Sequence, residues 1–293
     1  MTTTLAPVVH RTIEIDGVEI FYREAGPADG PVVLLPHGYP CSSFEFRHFM
    51  AALGDRWHLL APDYPGFGYS ATPDRSQFAY TFDGYATFLR RFTEAMDLRR
   101  YAIYLHDYGS QFGLRLAMHA PERVAALIIQ NGDIYEDELG PKYQTLKGFW
   151  ANPPPQGRAR LAQNVSEEGF RDELVGELPE RLVPRVSPDL WTLHWSLMRT
   201  PQRRENIVDL FEDQATTFAW FGREQAYLRE HQPPTLIVWG PHDGYMPEGA
   251  ARAYLRDLPD AELHLLDGGH WALETNLDEI VTLAREFLGR VHA

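Results

Sequence analysis

Tyr101-Ala-Ile-Tyr-Leu-His106-Asp107-Tyr108-Gly109-Ser110 is a continuous apolar run that ends in a histidine and an aspartate, meets a glycine, and passes into the helical pattern Leu114-Arg-Leu-Ala-Met-His119. An apolar run without polar alternation suits a strand covered on both faces, so the junction reads as a sharp strand-to-helix turn. Where such a turn presents a nucleophile, in the pattern Gly-x-Nu-x-Gly, its neighbours must be small because the backbone closes tightly, and the helix N-terminus stabilises negative charge. Here the central position is Asp107, with Gly109 two residues later and Leu105, not glycine, two before. Taken alone, the segment is read equally well with Asp107 as a helix N-cap, a role Asp often fills.

On either side the chain repeats the same texture. Val32–Leu35, His58–Pro62 and Val124–Gln130 are further short apolar runs, and Phe82, Tyr85, Phe88, Leu89, Phe92 and Met96 fall on one helical face between them. Alternating strand and helix predicts a mostly parallel, doubly wound α/β sheet. Two alternating runs around Asp16-Gly17 predict an antiparallel hairpin at its edge. The alternation stops near Asp133 and resumes at Thr235–Gly240, followed by Ala261–Leu266 and a last helix at about 275–290. The stretch between is rich in Trp, Phe, Glu and Arg, with helical spacing in EEGFRDELVGEL and RENIVDLFEDQATTFAWF. The expected organisation is a sheet core over 1–133 and 229–293 with a helical cap inserted over 134–228; an independent second domain is the less economical reading, since the chain leaves and re-enters one sheet.

The 293 residues include 41 acidic and 27 basic side chains, a formal charge of −14, and only two lysines, Lys142 and Lys147. That field repels phosphate backbones and anionic lipid, so nucleic acid and membrane are not expected partners. No apolar run approaches membrane-spanning length and nothing marks a secretion signal, which makes the cytoplasm the expected location. The one cysteine, Cys41, and the lack of zinc-like Cys/His spacing predict neither disulfide nor structural metal.

Three further segments join the first. Leu35-Pro-His37-Gly38-Tyr39-Pro40 follows a strand, and such a turn can aim the Tyr39 N–H where the Tyr108 N–H also points, two backbone donors forming an oxyanion hole. Trp239-Gly-Pro-His-Asp243 and Asp267-Gly-Gly-His270-Trp271 end later strands, at the carboxyl edge where open α/β sheets collect their sites. Asp107, Asp243 and His270 then stand in the chain order nucleophile, acid, base.

With these four segments in view, the chain resembles the α/β-hydrolase fold over its whole length. The H-D-Y-G elbow, the H-G-Y-P loop, Asp63-Tyr-Pro-Gly-Phe-Gly-Tyr-Ser70 and the G-H-W-A-L-E segment resemble the branch with an aspartate nucleophile, which holds epoxide hydrolases and haloalkane dehalogenases. The resemblance implies covalent catalysis without a cofactor. A carboxylate attacking an acyl carbon gives an anhydride, but attacking a saturated carbon it gives an ordinary ester, so Asp107 suits epoxide opening or halide displacement. His270, oriented by Asp243, would then activate water against that ester. Ser110, Ser43 and Ser70 do not occupy the elbow centre, which disfavours a serine esterase.

The leaving group divides the branch. Dehalogenases usually carry Trp after the nucleophile and often Asn in the H-G-x-P loop, where this chain has Tyr108 and Tyr39; fluoroacetate dehalogenases carry Arg after the nucleophile. Epoxide hydrolases place two cap tyrosines over the nucleophile to protonate the oxygen. The resemblance puts Tyr143 in that role, with Tyr39 or Gln214 assisting, though the usual second tyrosine is missing near Asp213–Thr216. His37, Trp150 and Trp195 are the expected substrate contacts, around a small, apolar, neutral molecule. The favoured reading is an epoxide hydrolase; the alternatives are a haloalkane dehalogenase and a non-catalytic ligand-binding relative. Monomer and homodimer are both compatible with the charge.

Overall fold

A computed structural model describes residues 5–291. Eight strands form one sheet in the order β1-β2-β4-β3-β5-β6-β7-β8. They are β1 (Val8–Ile15), β2 (Val18–Ala25), β3 (Val32–Leu34), β4 (His58–Pro62), β5 (Tyr101–His106), β6 (Val124–Gln130), β7 (Thr235–Trp239) and β8 (Glu262–Leu265). From β4 to β8 all pairings are parallel, and β1 and β2 form the antiparallel edge. Asp16 and Gly17 both take positive φ, +50° and +76°, as a two-residue hairpin turn requires.

Successive side chains of a strand point to opposite faces, and β5 shows why its middle residues are apolar on both. Ile103 and Leu105 enter an apolar cluster with Phe82, Phe92 and Phe112, whereas Ala102 and Tyr104 enter one with Phe46, Phe49 and Phe287. The second cluster is covered by α1 (Arg47–Leu53) and, at the end of the chain, a long amphipathic helix. The first is covered by α2 (Phe82–Ala95) and α3 (Asp107–His119). Thr81 caps α2, its hydroxyl accepting the Gly84 N–H at 3.1 Å.

Between Gln130 and Thr235 the chain contributes no strand. It forms α4 (Pro141–Ala151), α5 (Gly157–Asn164), α6 (Glu167–Val175), α7 (Asp189–Met198), α8 (Pro201–Asp213) and α9 (Phe218–His231). Leu161, Phe170 and Leu210 of these helices share the apolar cluster of Leu105 and Tyr108. The long helical pattern through RENIVDLFEDQATTFAWF is broken by a tight 3₁₀ turn, Gln214–Thr217, between α8 and α9. The core resumes with α10 (Glu248–Ala253), then α11 (Ala272–Thr275) and α12 (Leu277–Val291). The loops after β3, β5, β7 and β8 therefore open on one sheet edge, beneath the inserted helices. No helix among the described residues is long and apolar enough to cross a membrane.

Candidate active site

The turn between β5 and α3 places Asp107 in the left-handed region, φ +47°. That conformation costs an ordinary residue on the order of 1–2 kcal/mol and needs outside support. The Asp107 N–H donates to the Asn131 carbonyl at 3.2 Å, and the Ser110 hydroxyl donates to the Asp107 carbonyl at 2.6 Å. Gly109 lets the turn lie on the loop after β3, since a Cβ there would sit 2.1 Å from the Pro36 oxygen. His106, not Asp107, holds the cap position of α3, and the Asp107 carboxylate is turned to other partners.

Its Oδ1 accepts the Tyr39 N–H at 2.6 Å, the Tyr108 N–H also favours charge on the same carboxylate, and its Oδ2 lies 3.4 Å from His270 Nε2. His270 donates from Nδ1 to Asp243 Oδ2 at 2.7 Å. Burial opposes charge on all three groups, yet they hold one another ionised: with His270 beside them Asp107 and Asp243 lie below the usual carboxylate range, and the two carboxylates hold the His270 imidazole well above its ordinary value. A carboxylate and a base thus face each other with two backbone donors behind the carboxyl carbon.

Residues the sequence reading did not single out fix this arrangement. Asn131, directly after β6, donates from Nδ2 to Asp243 Oδ2 at 2.8 Å, while the N–H groups of Tyr245 and Met246 donate to Oδ1 at 2.8 and 3.0 Å. The His270 carbonyl accepts from His106 Nε2 and Gln130 Nε2, each at 3.0 Å. His106 in turn bonds Glu45 Oε1 at 2.6 Å, and Glu45 Oε2 accepts the Gly38 N–H at 3.2 Å. One buried glutamate therefore ties the Tyr39 loop to the strand that carries the elbow. Only its sequence position, seven residues after Gly38, was visible beforehand.

Above these groups lies a cavity with about 600 Å³ of empty space, part of it open to solvent. Asp107, His270, Tyr39 and Tyr108 line it from the sheet edge, and Tyr143, Trp150 and Gln214 from the inserted helices. Gln214 bridges two phenols: its Oε1 accepts the Tyr108 hydroxyl at 2.8 Å, and its Nε2 donates to the Tyr143 oxygen at 3.3 Å. The Tyr143 oxygen accepts in that bond, so its own proton is free. Trp150 lines the cavity, but its Nε1 donates to the Phe211 carbonyl at 3.1 Å.

Two residues expected as substrate contacts lie outside the cavity lining. His37 is fully buried behind the loop, donating from Nδ1 to the Gly38 carbonyl at 2.9 Å and packing tilted on the Tyr64 ring, and burial pushes its imidazole down to about 3. It is a neutral strut and does not line the cavity. Trp195 packs on Phe170, ring centroids 5.9 Å apart, and beside Arg204, outside the cavity lining. In its place the cavity receives Glu173 of α6 and Tyr245, which follows Asp243 by two residues.

Residues 31–277 match the family described as alpha/beta hydrolase fold. An uncharacterized hydrolase of Saccharomyces cerevisiae is 31% identical over 95% of this chain and 95% of its own length. Haloalkane dehalogenase 2 of Mycobacterium tuberculosis is 35% identical over 97% of this chain and 96% of its own. The crystal structure of an epoxide hydrolase from Vigna radiata superposes with a TM-score of 0.73 at 22% identity, covering 97% of this chain and 98% of that one. With the eight-stranded sheet, the family match over most of the chain and relatives aligned end to end, this chain belongs to the alpha/beta hydrolase fold family.

Proposed function

We propose that this protein opens a small, largely apolar epoxide to a diol through an alkyl ester on Asp107. The observation that carries the reading is the Tyr143 hydroxyl, which lines the nucleophile's cavity and is held by Gln214 with its proton undonated. An epoxide oxygen leaves as a strongly basic alkoxide and needs a proton, whereas a halide needs N–H donors. The indole N–H of Trp150, the donor that the cap aromatics bring to this cavity, already has an acceptor, and one N–H of the Gln214 amide is spent on the Tyr143 oxygen.

In this mechanism Asp107 Oδ2 attacks the ring carbon and Tyr143 protonates the departing oxygen. Ester formation removes the negative charge of Asp107, one of the two carboxylates that hold the proton on His270. The imidazole gives up that proton, which restores the Tyr143 phenolate to a phenol, and then, held by Asp243, draws a proton from water as the water adds to the Asp107 carboxyl carbon. The Tyr39 and Tyr108 amides, already on that carboxylate, stabilise the resulting oxyanion. Residues 134–228 act as the cap that supplies Tyr143 and excludes bulk water.

A second reading, hydrolytic dehalogenation of an apolar haloalkane, is favoured by the 35% identity to haloalkane dehalogenase 2. One experiment separates them. The variant His270→Phe, incubated with terminal epoxides and separately with bromoalkanes, should strand the ester, and intact mass identifies it. An adduct equal to the whole epoxide is the expected result. An alkyl adduct with bromide released would establish the dehalogenase, and no adduct from a folded protein would sink the covalent mechanism.

A further inference from the structure

The steps above leave Tyr245 and Glu173, both lining the cavity, unused. Tyr245 stands beside Tyr143, ring centroids 5.4 Å apart, and 6.4 Å from the His270 ring. Its hydroxyl donates to Glu173 Oε1 at 2.9 Å. Glu173 is fixed over the site because Ser166 caps α6 and Trp271, next to His270, donates from Nε1 to the Glu173 carbonyl at 3.1 Å. Its Oε2 makes no hydrogen bond among the described residues, and no ion pair reaches it.

We propose that Tyr245 is a second proton donor to the leaving oxygen, and that Glu173 is the positioning residue that decides whether the Tyr245 proton is available. The inference rests on the epoxide reading. The molecule contains the pattern for it: Gln214 donates to Tyr143 and so leaves the Tyr143 proton free. An ionised Glu173 does the opposite to Tyr245, accepting its proton and keeping it from the substrate. A protonated Glu173 donates to the Tyr245 oxygen instead, as Gln214 does for Tyr143, and turns the phenol proton into the cavity.

The charged and titratable groups facing Glu173 come from several elements: Lys142 of α4, Tyr39, Tyr245, His270, and Asp107 at the elbow. Lys142 is itself shared with Glu177 at 3.7 Å, Asp172 at 3.8 Å and the face of Tyr245. Burial pushes the Glu173 carboxyl above the usual range, reinforced by Asp107 and opposed by Lys142, the Tyr245 hydroxyl and His270. In the alkylation step the Asp107–carbon bond forms, the ring C–O bond breaks, and its electron pair on oxygen takes the Tyr245 proton. The Glu173 proton then passes to the phenolate. The proton shed when hydrolysis restores the Asp107 carboxylate returns Glu173 to its acid form.

The test is single-turnover alkylation by a terminal epoxide, followed across pH in wild type, Tyr245→Phe, Glu173→Gln and Tyr143→Phe. Tyr245→Phe should slow alkylation about 10- to 100-fold, the lower range of general acid catalysis. Glu173→Gln, whose amide donates at every pH, should keep the fast rate and lose the fall in rate that wild type shows as pH rises through the Glu173 titration. An unchanged alkaline limb in Glu173→Gln, or an unimpaired Tyr245→Phe beside a crippled Tyr143→Phe, overturns this inference and leaves the epoxide reading standing. A wild type that forms no epoxide ester overturns both.

Discussion

At the residue scale the site is a matter of which proton each side chain can spare. Tyr108 and Tyr143 share Gln214, yet only Tyr143 has its proton free, so the two phenols are not interchangeable. Tyr143→Phe should therefore slow epoxide alkylation by about 100-fold or more, while Tyr108→Phe, which loses only a bond to Gln214, should do far less; stopped-flow alkylation rates rank the two. Asp107→Ala should abolish turnover altogether, and residual activity above a few per cent would remove the covalent mechanism. Asp107, Asp243, His270, Tyr39 and Tyr108 were legible in the sequence because each stands just beyond an apolar strand, where chain order alone brings them to one edge. Glu173 was not. In EEGFRDELV it reads as one more solvent-facing acid of an amphipathic helix, and only the packing of α6 on Trp271 turns it inward. Tyr245 was overlooked because a tyrosine was sought in the cap, although it lies in the core loop that supplies Asp243.

At the scale of elements, the strands were readable since burial on both faces leaves an uninterrupted apolar run, and all eight fall where the pattern predicts. The inserted helices were harder: the 3.6-residue spacing runs on through Gln214–Thr217, so the 3₁₀ turn that delivers Gln214 to the cavity leaves no periodic trace. What the loops do also depends on clearances that no periodicity carries. A Cβ on Gly38 would lie 2.6 Å from the Asp107 Cβ. Gly38→Ala must then push the loop after β3 away from the elbow, carrying with it the Tyr39 N–H and the bond from Gly38 to Glu45. We expect a stability loss of about 1–3 kcal/mol, the usual cost of overpacking. The larger effect should fall on hydrolysis of the ester, about 100-fold for a displaced oxyanion donor. Ester accumulating during turnover, seen by intact mass, is the expected sign; a faster or unchanged hydrolysis step would mean that the Tyr39 amide is not part of the hole.

For the molecule as a whole, the question is how the inserted helices are held on the sheet, and here the chain buries groups that its pattern gave no reason to bury. Glu224 of α9 is fully buried with both carboxyl oxygens unpartnered among the described residues, near Arg115 and Gln111 of α3, which carry unpartnered polar atoms of their own. Asp133, at the departure from the sheet, is buried with one unpartnered oxygen and lies well above the carboxylate range, pushed there by burial and then by Asp243 and Glu224. Burial likewise pushes Glu224 up to about 8, with Arg115 opposing. In the unfolded chain Glu224 titrates near 4.5, so between that pH and about 8 the folded protein holds one proton more than the unfolded one. The stabilising contribution is complete below the unfolded value and is lost as pH rises through the folded one, with a slope of up to about 1.4 kcal/mol per pH unit. Glu224→Gln, neutral throughout, should lack this loss. Thermal midpoints of wild type and variant, compared from pH 6 to 9, should diverge in favour of the variant as pH rises. Parallel curves would mean that Glu224 is already ionised and paired with Arg115 in the folded state, and the junction between α9 and α3 would then be an ion pair, not a protonated acid.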